Sequence, residues 1–85
     1  MPRSVFTQAY ATLLQVLVAK RKQAGVTQVE LAARLGKPQP FVSYVESGER
    51  RVDVIEFYAI MKALGEDPER AFGQLVEQLP ERVDI

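Results

Sequence analysis

The chain has 85 residues, of which 47% are apolar, and its 11 basic and 11 acidic side chains leave a formal net charge of zero. This length accommodates one domain with one modest hydrophobic core. The sequence contains no cysteine and no histidine, so it offers neither a disulfide scaffold nor the usual zinc ligands and general base. We therefore expect a protein that is not an enzyme and that needs no metal or other cofactor.

The longest apolar stretch, residues 9–19, is interrupted by Thr12 and Gln15. It is much shorter than the roughly 20 residues that cross a bilayer. Three cations at positions 20–22 follow the stretch instead of preceding it, which is the reverse of a secretory signal. These features predict a cytoplasmic protein without a membrane-bound part.

The zero net charge conceals an uneven distribution along the chain. Residues 1–37 carry a net charge of +5, residues 38–52 are neutral, and residues 53–85 carry −5. This division is typical of a module with a basic working face and an acidic back, although ordinary solvated helices also produce it.

The first predicted helix covers about residues 4–24. Ser4 is its expected N-cap, and Gly25 ends it. Its apolar positions recur at helical spacing. They are Phe6, Tyr10, Leu13 and Leu17, widened by Ala9, Leu14 and Val18.

The second predicted helix, residues 27–35, has a strong start signal. Thr27 and Glu30 stand at the spacing of a capping box, and Gly36 supplies the stop. The third covers residues 38–47, where Pro38 is compatible with a first turn.

The fourth predicted helix, residues 53–64, opens with a second capping box, formed by Asp53 and Glu56. The expected interior positions are Ile55, Tyr58, Ala59, Met61 and Leu64. The fifth helix, residues 67–79, starts with Asp67 as N-cap. Its apolar stripe is Phe72, Leu75, Val76 and Leu79. We predict an all-α fold, with a single domain over residues 4–80 and a tail at 81–85.

The second and third helices are short and joined by a tight turn at Gly36, which is the sequence form of a helix-turn-helix. Each residue advances about 100° around a helix. If Val42 and Val45 face inward, the opposite face of the third helix is uncharged. It holds Pro40, Ser43, Tyr44 and Ser47, with Gln39 at its N-terminal corner.

An uncharged outer face is unusual, because a solvated helix face normally carries Lys and Glu. Glutamine can form a bidentate bond to adenine in the major groove, and serine can bond to several base edges. Pro40 and the Tyr44 ring are suited to contact with thymine methyl groups. The face therefore favours contact with DNA.

This segment resembles the XRE family of Cro/repressor-type DNA-binding domains. The matching residues are Thr27, Gln28, Glu30–Ala32, Leu35, Gly36, Gln39, Phe41–Ser43, Glu46 and Gly48–Arg50. The helical stretch from Asp53 to Leu64 fits as well, so the likeness covers about residues 10–79. It implies a five-helix, lambda-repressor-like fold. Pro38 departs from the pattern, since a Ser or Thr N-cap is usual there.

The resemblance implies roles for particular side chains. Gln28 would meet the phosphate backbone, Gln39 would read a base edge, and Ser43 and Tyr44 would add groove contacts. The family often has another polar residue where this chain has Tyr44, so surface packing is the alternative role there. Pro40 belongs to the same candidate interface.

Other side chains would bind the DNA backbone or support the fold. Phe41 either packs beneath the second helix or presses against the sugar-phosphate chain. The cations Lys37, Arg50 and Arg51 resemble the family's backbone-binding residues, with solvated loop charge as the alternative. The resemblance also implies a structural ion pair between Arg21 and Glu46.

The leading hypothesis is a sequence-specific transcriptional regulator, a repressor, that binds a palindromic operator in double-stranded DNA as a homodimer. The fifth helix is the expected dimer surface. The wide apolar face of the first helix either adds to it or is used in packing the core. The alternative is an antitoxin or adaptor that uses the same fold to hold a basic protein partner, such as a toxin, against its acidic C-terminal third.

Overall fold

The computed structural model describes residues 7–83. This part of the chain folds into five helices and contains no strand. They are α1 (Gln8–Gln23), α2 (Gln28–Leu35), α3 (Pro40–Ser47), α4 (Val54–Ala63) and α5 (Pro68–Gln78). The predicted all-α class is confirmed. No helix within residues 7–83 is both long enough and apolar enough to span a bilayer.

Local capping explains where α2 and α4 begin. The Thr27 hydroxyl accepts a hydrogen bond from the Glu30 N–H at 3.0 Å, and the Glu30 carboxylate accepts one from the Thr27 N–H at 2.9 Å. Asp53 and Glu56 repeat the arrangement at 2.8 and 2.9 Å. Both predicted capping boxes are therefore present, and each satisfies N–H groups that a helix start leaves unpaired.

The start of α1 differs from the prediction. Thr7 has an extended backbone, and its hydroxyl accepts a hydrogen bond from the Tyr10 N–H at 3.1 Å, so Thr7 is the N-cap. A continuous helix from residue 4 is therefore wrong. The proposed cap Ser4 and the stripe residue Phe6 lie outside the described residues.

The third helix begins at Pro40, two residues later than predicted. Gln39 occupies the N-cap position without a side-chain cap bond. The Phe41 N–H donates to the Pro38 carbonyl at 3.0 Å, a tighter turn than that of an α-helix. The residues from Pro38 to Phe41 thus form a tight turn ahead of the helix, and the regular α-helix begins at Pro40.

Glycines end both α2 and α3. Gly36 ends α2 with φ of 68° and Gly48 ends α3 with φ of 87°. This left-handed conformation costs glycine little, because it has no Cβ. It turns the chain sharply enough for α2 and α3 to pack against each other.

One core joins all five helices. Its buried members are Tyr10, Leu14, Leu17, Val26, Leu31, Ala32, Val42, Val45, Phe57, Ile60, Met61, Leu64 and Ala71. Helix α2 packs on α3 and α4, while α1 packs on α3 and α5. Four expected interior residues are instead exposed: Ile55, Tyr58, Phe72 and Val76.

Candidate nucleic-acid interface

The two sides of α3 differ sharply. Val42 and Val45 are each 2% exposed and belong to the core. On the other side, Tyr44 is 51% exposed. Gln39 and Pro40 are exposed, and Ser43 is half-buried. The structure thus brings Gln39, Pro40, Ser43 and Tyr44 to one outward surface, at the positions that helical geometry predicted.

Phe41 does not share that surface. Its ring is half-buried and packs against the core. The Lys37 ammonium lies 5.5 Å from the centre of the ring, and the Arg50 guanidinium lies 4.8 Å from it. The packing predicted as one alternative for Phe41 is present, and cation–π attraction holds two cations against the ring. Contact of the ring with the sugar-phosphate chain stays a prediction.

The Arg50 side chain is exposed, but other groups of the protein bind its guanidinium. Its guanidinium donates to both carboxylate oxygens of Glu56, at 3.1 and 2.8 Å, and to the carbonyl of Arg51 at 2.9 Å. The hydrogen-bonded Glu56 carboxylate raises the pKa of Arg50. In turn the Arg50 guanidinium, together with the Asp53 N–H, lowers the pKa of Glu56 below its ordinary value of 4.5. The bond joins the loop after α3 to the first turn of α4.

Arg51 lies differently from its neighbour. Its guanidinium lies over the Tyr10 ring, 4.3 Å from the ring centre. The Tyr10 hydroxyl accepts a hydrogen bond from the Val52 N–H at 3.1 Å, so α1 supports this loop at two successive residues.

A buried polar network joins α1, α2 and α3. Arg21 donates to Glu46 through Nε at 2.6 Å and Nη2 at 3.0 Å, and its Nη1 donates to the Val26 carbonyl at 2.9 Å. The two side chains are only 11% and 10% exposed. The implied Arg21–Glu46 ion pair is thus present, in the bidentate geometry that suits a guanidinium and a carboxylate.

Gln28 belongs to the same network, a contact that the sequence did not indicate. Its Nε2 donates to Glu46 Oε1 at 2.8 Å, the oxygen that also accepts from Arg21. A primary amide has two N–H donors, so one remains after the bond to Glu46. Gln28 and Glu46 are 18 residues apart in the sequence and lie on different helices, so no local sequence pattern indicates their contact. Only the packing of α2 on α3 brings the two side chains together.

The remaining predicted site residue, Lys37, is exposed in the turn between α2 and α3. The turn itself is fixed by the backbone, since the Lys37 N–H donates to the Ala32 carbonyl at 3.0 Å. Within residues 7–83 no three acidic side chains converge into a group that would hold a metal ion. The surface offers hydrogen-bond donors, acceptors and cations.

These features define a helix-turn-helix protein. Helix α2 has a capping box, Gly36 forms the turn, and α3 has one buried and one exposed polar face. Comparison with known proteins agrees. The sequence model of the family described as helix-turn-helix matches residues 17–70, which is well over half of the chain. This chain belongs to the helix-turn-helix family, in its XRE branch.

Two relatives are informative. The solved structure of an XRE-family like protein from Pseudomonas syringae pv. tomato str. DC3000 is 48% identical, with a TM-score of 0.78, over 86% of this chain and 91% of that one. An uncharacterized HTH-type transcriptional regulator of Sinorhizobium fredii is 42% identical over 45 residues. That match covers 53% of this chain and 58% of the curated relative's length. The resemblance to the XRE family is confirmed.

Proposed function

We propose that this chain is a DNA-binding transcriptional regulator that places α3 in the major groove of a specific duplex. The observation that carries the proposal is the outward face of α3. Gln39, Ser43 and Tyr44 offer uncharged hydrogen-bonding groups there, while Val42 and Val45 on the opposite face fix the helix to the core. A rigid helix with such a face reads base edges by direct hydrogen bonds.

Side chains near α3 make the proposed contacts with the DNA backbone. Lys37 precedes the helix and Arg51 follows it, and both are exposed. Their charges favour phosphate contacts, which set the register and supply affinity without selecting a sequence. Gln28 adds a neutral donor, because the amide that is oriented by Glu46 keeps a second N–H.

Arg50 has a different part in this proposal. Since Glu56 and Phe41 already hold its guanidinium, we assign it to shaping the loop that presents Arg51. Of the arginine pair for which a backbone-binding role was predicted, we therefore assign that role to Arg51.

The proposed regulator acts as a repressor and as a homodimer. One recognition helix reads only a few base pairs, so two copies on a palindromic operator give a site of useful length. A protein that occupies the groove prevents other proteins from using the same duplex, and repression is the simplest result of this exclusion.

Selection of bound duplexes from a random pool tests the proposal. We expect a palindromic consensus, with affinity that falls steeply as salt rises, because bound cations release counterions from DNA. Recovery of no consensus, or an affinity for DNA that salt leaves unchanged, would contradict it. The recovered duplexes also define the half-site and its spacing, because a random pool contains every candidate operator.

An adaptor or antitoxin function is the second candidate. It draws on the acidic C-terminal third, but two of those carboxylates are already neutralised within the chain. Glu56 binds Arg50 at 2.8 Å, and Glu66 binds Lys20 at 3.3 Å. The acidic surplus that faces a basic partner is therefore smaller than the sequence indicates, which favours the DNA-binding function.

A further inference from the structure

The outward face of α3 presents an aromatic ring, which belongs to Tyr44. Tyr10, by contrast, is buried, and its ring and hydroxyl support the loop after α3. Tyrosine offers a large apolar surface with only two rotatable side-chain bonds, so it loses little conformational entropy when it makes a contact. The Tyr44 ring is therefore suited to contact with an apolar group outside the chain.

Pro40 extends this apolar surface. It is the first residue of α3, it is exposed, and it lies one turn before Tyr44. Side chains on a helix lean toward its N-terminus, and residues four apart are neighbours on the helix surface. The Tyr44 ring is thus directed toward Pro40, whose own ring carries no N–H. We call these two residues the Pro40–Tyr44 pair.

The backbone that carries the Tyr44 ring is fixed. Val42 and Val45 are buried in the core on the opposite side of α3. The Tyr44 carbonyl accepts hydrogen bonds from the Arg50 N–H at 3.1 Å and from the Ser47 hydroxyl at 3.1 Å. These bonds join the last turn of α3 to the loop that follows it. The ring is therefore presented from a preorganised support, as a selective contact requires.

The chemistry of the major groove indicates which group the pair would meet. In unmodified DNA the apolar group on a base edge is the methyl group at C5 of thymine. Cytosine has only hydrogen at this ring atom, whereas 5-methylcytosine has a methyl group there. An apolar contact with this methyl group therefore favours thymine and 5-methylcytosine alike, and it disfavours cytosine.

Ser43 lies next to Tyr44 in the sequence and is half-buried. A hydroxyl both donates and accepts hydrogen bonds. It can therefore donate to O4 of thymine or accept from the N4 amino group of cytosine. Because serine accommodates either pyrimidine, the methyl group is left as the feature that distinguishes them.

We infer that the Pro40–Tyr44 pair binds the 5-methyl group of a pyrimidine, so that the affinity of this chain for DNA depends on cytosine methylation as well as on base sequence. The inference rests on the proposed function, because α3 must first enter the major groove. Burial of one methyl group is worth about fourfold in affinity. When both half-sites of a palindrome carry the methyl group, the effect is about 15-fold.

Deoxyuridine replacement tests the methyl contact without changing the base pairing, because deoxyuridine is thymidine without the methyl group. Each thymine of the duplex selected from a random pool is replaced in turn, in both half-sites, and the Kd is measured by fluorescence anisotropy. We expect the Kd to rise by about 15-fold at one position. At the other positions it should stay within about twofold.

A second pair of duplexes tests the response to methylation. At the sensitive position the thymine·adenine pair is replaced by a cytosine·guanine pair, with the cytosine either unmodified or methylated at C5. These two duplexes differ only in the methyl group. We expect the methylated duplex to bind about 15-fold more tightly.

Variants of Tyr44 assign the effect to the ring. Tyr44→Ser should remove the difference between thymine and deoxyuridine, whereas Tyr44→Phe, which lacks only the hydroxyl, should retain it. The matched control is Tyr58→Ser, the same substitution at an exposed tyrosine of α4. It should leave the ratio of the two Kd values within about twofold. Circular dichroism confirms that each variant is folded.

Three results would overturn the inference. The first is a selected duplex in which no deoxyuridine replacement weakens binding. The second is a difference between thymine and deoxyuridine that persists in Tyr44→Ser. The third is a difference that is lost in Tyr44→Phe, which would assign the effect to the hydroxyl. In each case the chain still selects a duplex, so these results are distinguishable from a failure of the proposed function.

Discussion

Replacement of Glu46 by alanine should destabilise the fold strongly, and the structure sets the magnitude. The carboxylate accepts two hydrogen bonds from Arg21 and one from Gln28. Without this carboxylate, the Arg21 guanidinium keeps its hydrogen bond to the Val26 carbonyl but loses its ion pair. The Arg21 side chain is only 11% exposed, so water cannot fully replace the lost partner. Removing one partner of a buried ion pair costs about 3 kcal/mol. For a domain of this size we expect the melting temperature to fall by roughly 15–20 °C.

Urea denaturation followed by circular dichroism measures this loss directly. Glu49→Ala is the matched control, since Glu49 is exposed in the loop just beyond α3 and should change the unfolding free energy by less than about 0.5 kcal/mol. The double variant with Arg21→Ala should lose less than the sum of the single variants, because the two side chains act as a pair. Equal effects of Glu46→Ala and Glu49→Ala would show that the buried network does not stabilise the fold.

Two further predictions concern the loop that joins α3 to α4. The pKa of Glu56 is lowered in the fold by the bound Arg50 guanidinium, so the ionised carboxylate stabilises the fold above its ordinary pKa, and this contribution is lost as pH falls through the lower, folded value. Denaturation between about pH 5 and about pH 3 should therefore show falling stability, with a smaller fall in Glu56→Gln; an identical fall would disprove the link. Arg51→Ala should weaken binding to selected and random duplexes by the same factor and reduce the salt slope by about 1, in fluorescence anisotropy titrations. A loss confined to the selected duplex would instead assign Arg51 to base reading.

The starts of α2 and α4 were the most predictable part of this fold, because a capping box depends on residues three apart. The sequence places Thr27 before Glu30 and Asp53 before Glu56, and both pairs form the reciprocal bonds expected of them. The premise that the apolar Val42 and Val45 face inward is confirmed by their burial, and the helical repeat then places Ser43 and Tyr44 on the other side of α3. These features involve short separations, within which the backbone geometry fixes what each side chain meets.

The family resemblance implied one contact that depends on tertiary packing, the Arg21–Glu46 ion pair. Other features of this kind were not predictable from local sequence patterns. Helical periodicity assigned Ile55, Tyr58, Phe72 and Val76 to the interior, because an apolar residue at helical spacing looks the same whether it faces the chain's own core or a separate surface. The bond between Gln28 and Glu46 likewise spans two helices. Such contacts depend on the packing of one helix against another, which no local pattern encodes.

Base reading by the outward face of α3 underlies the whole proposed function, and the base preference of Gln39→Ala is its sharpest test. Gln39 is exposed at the N-terminus of α3, so its loss should leave the fold intact. Binding should be measured against the selected duplex and against all single-base variants of one half-site. We predict that discrimination relaxes at one base pair by about 1–3 kcal/mol while the other positions are unchanged. A variant that weakens all duplexes equally, or that discriminates as the wild-type chain does, would contradict base reading by this face.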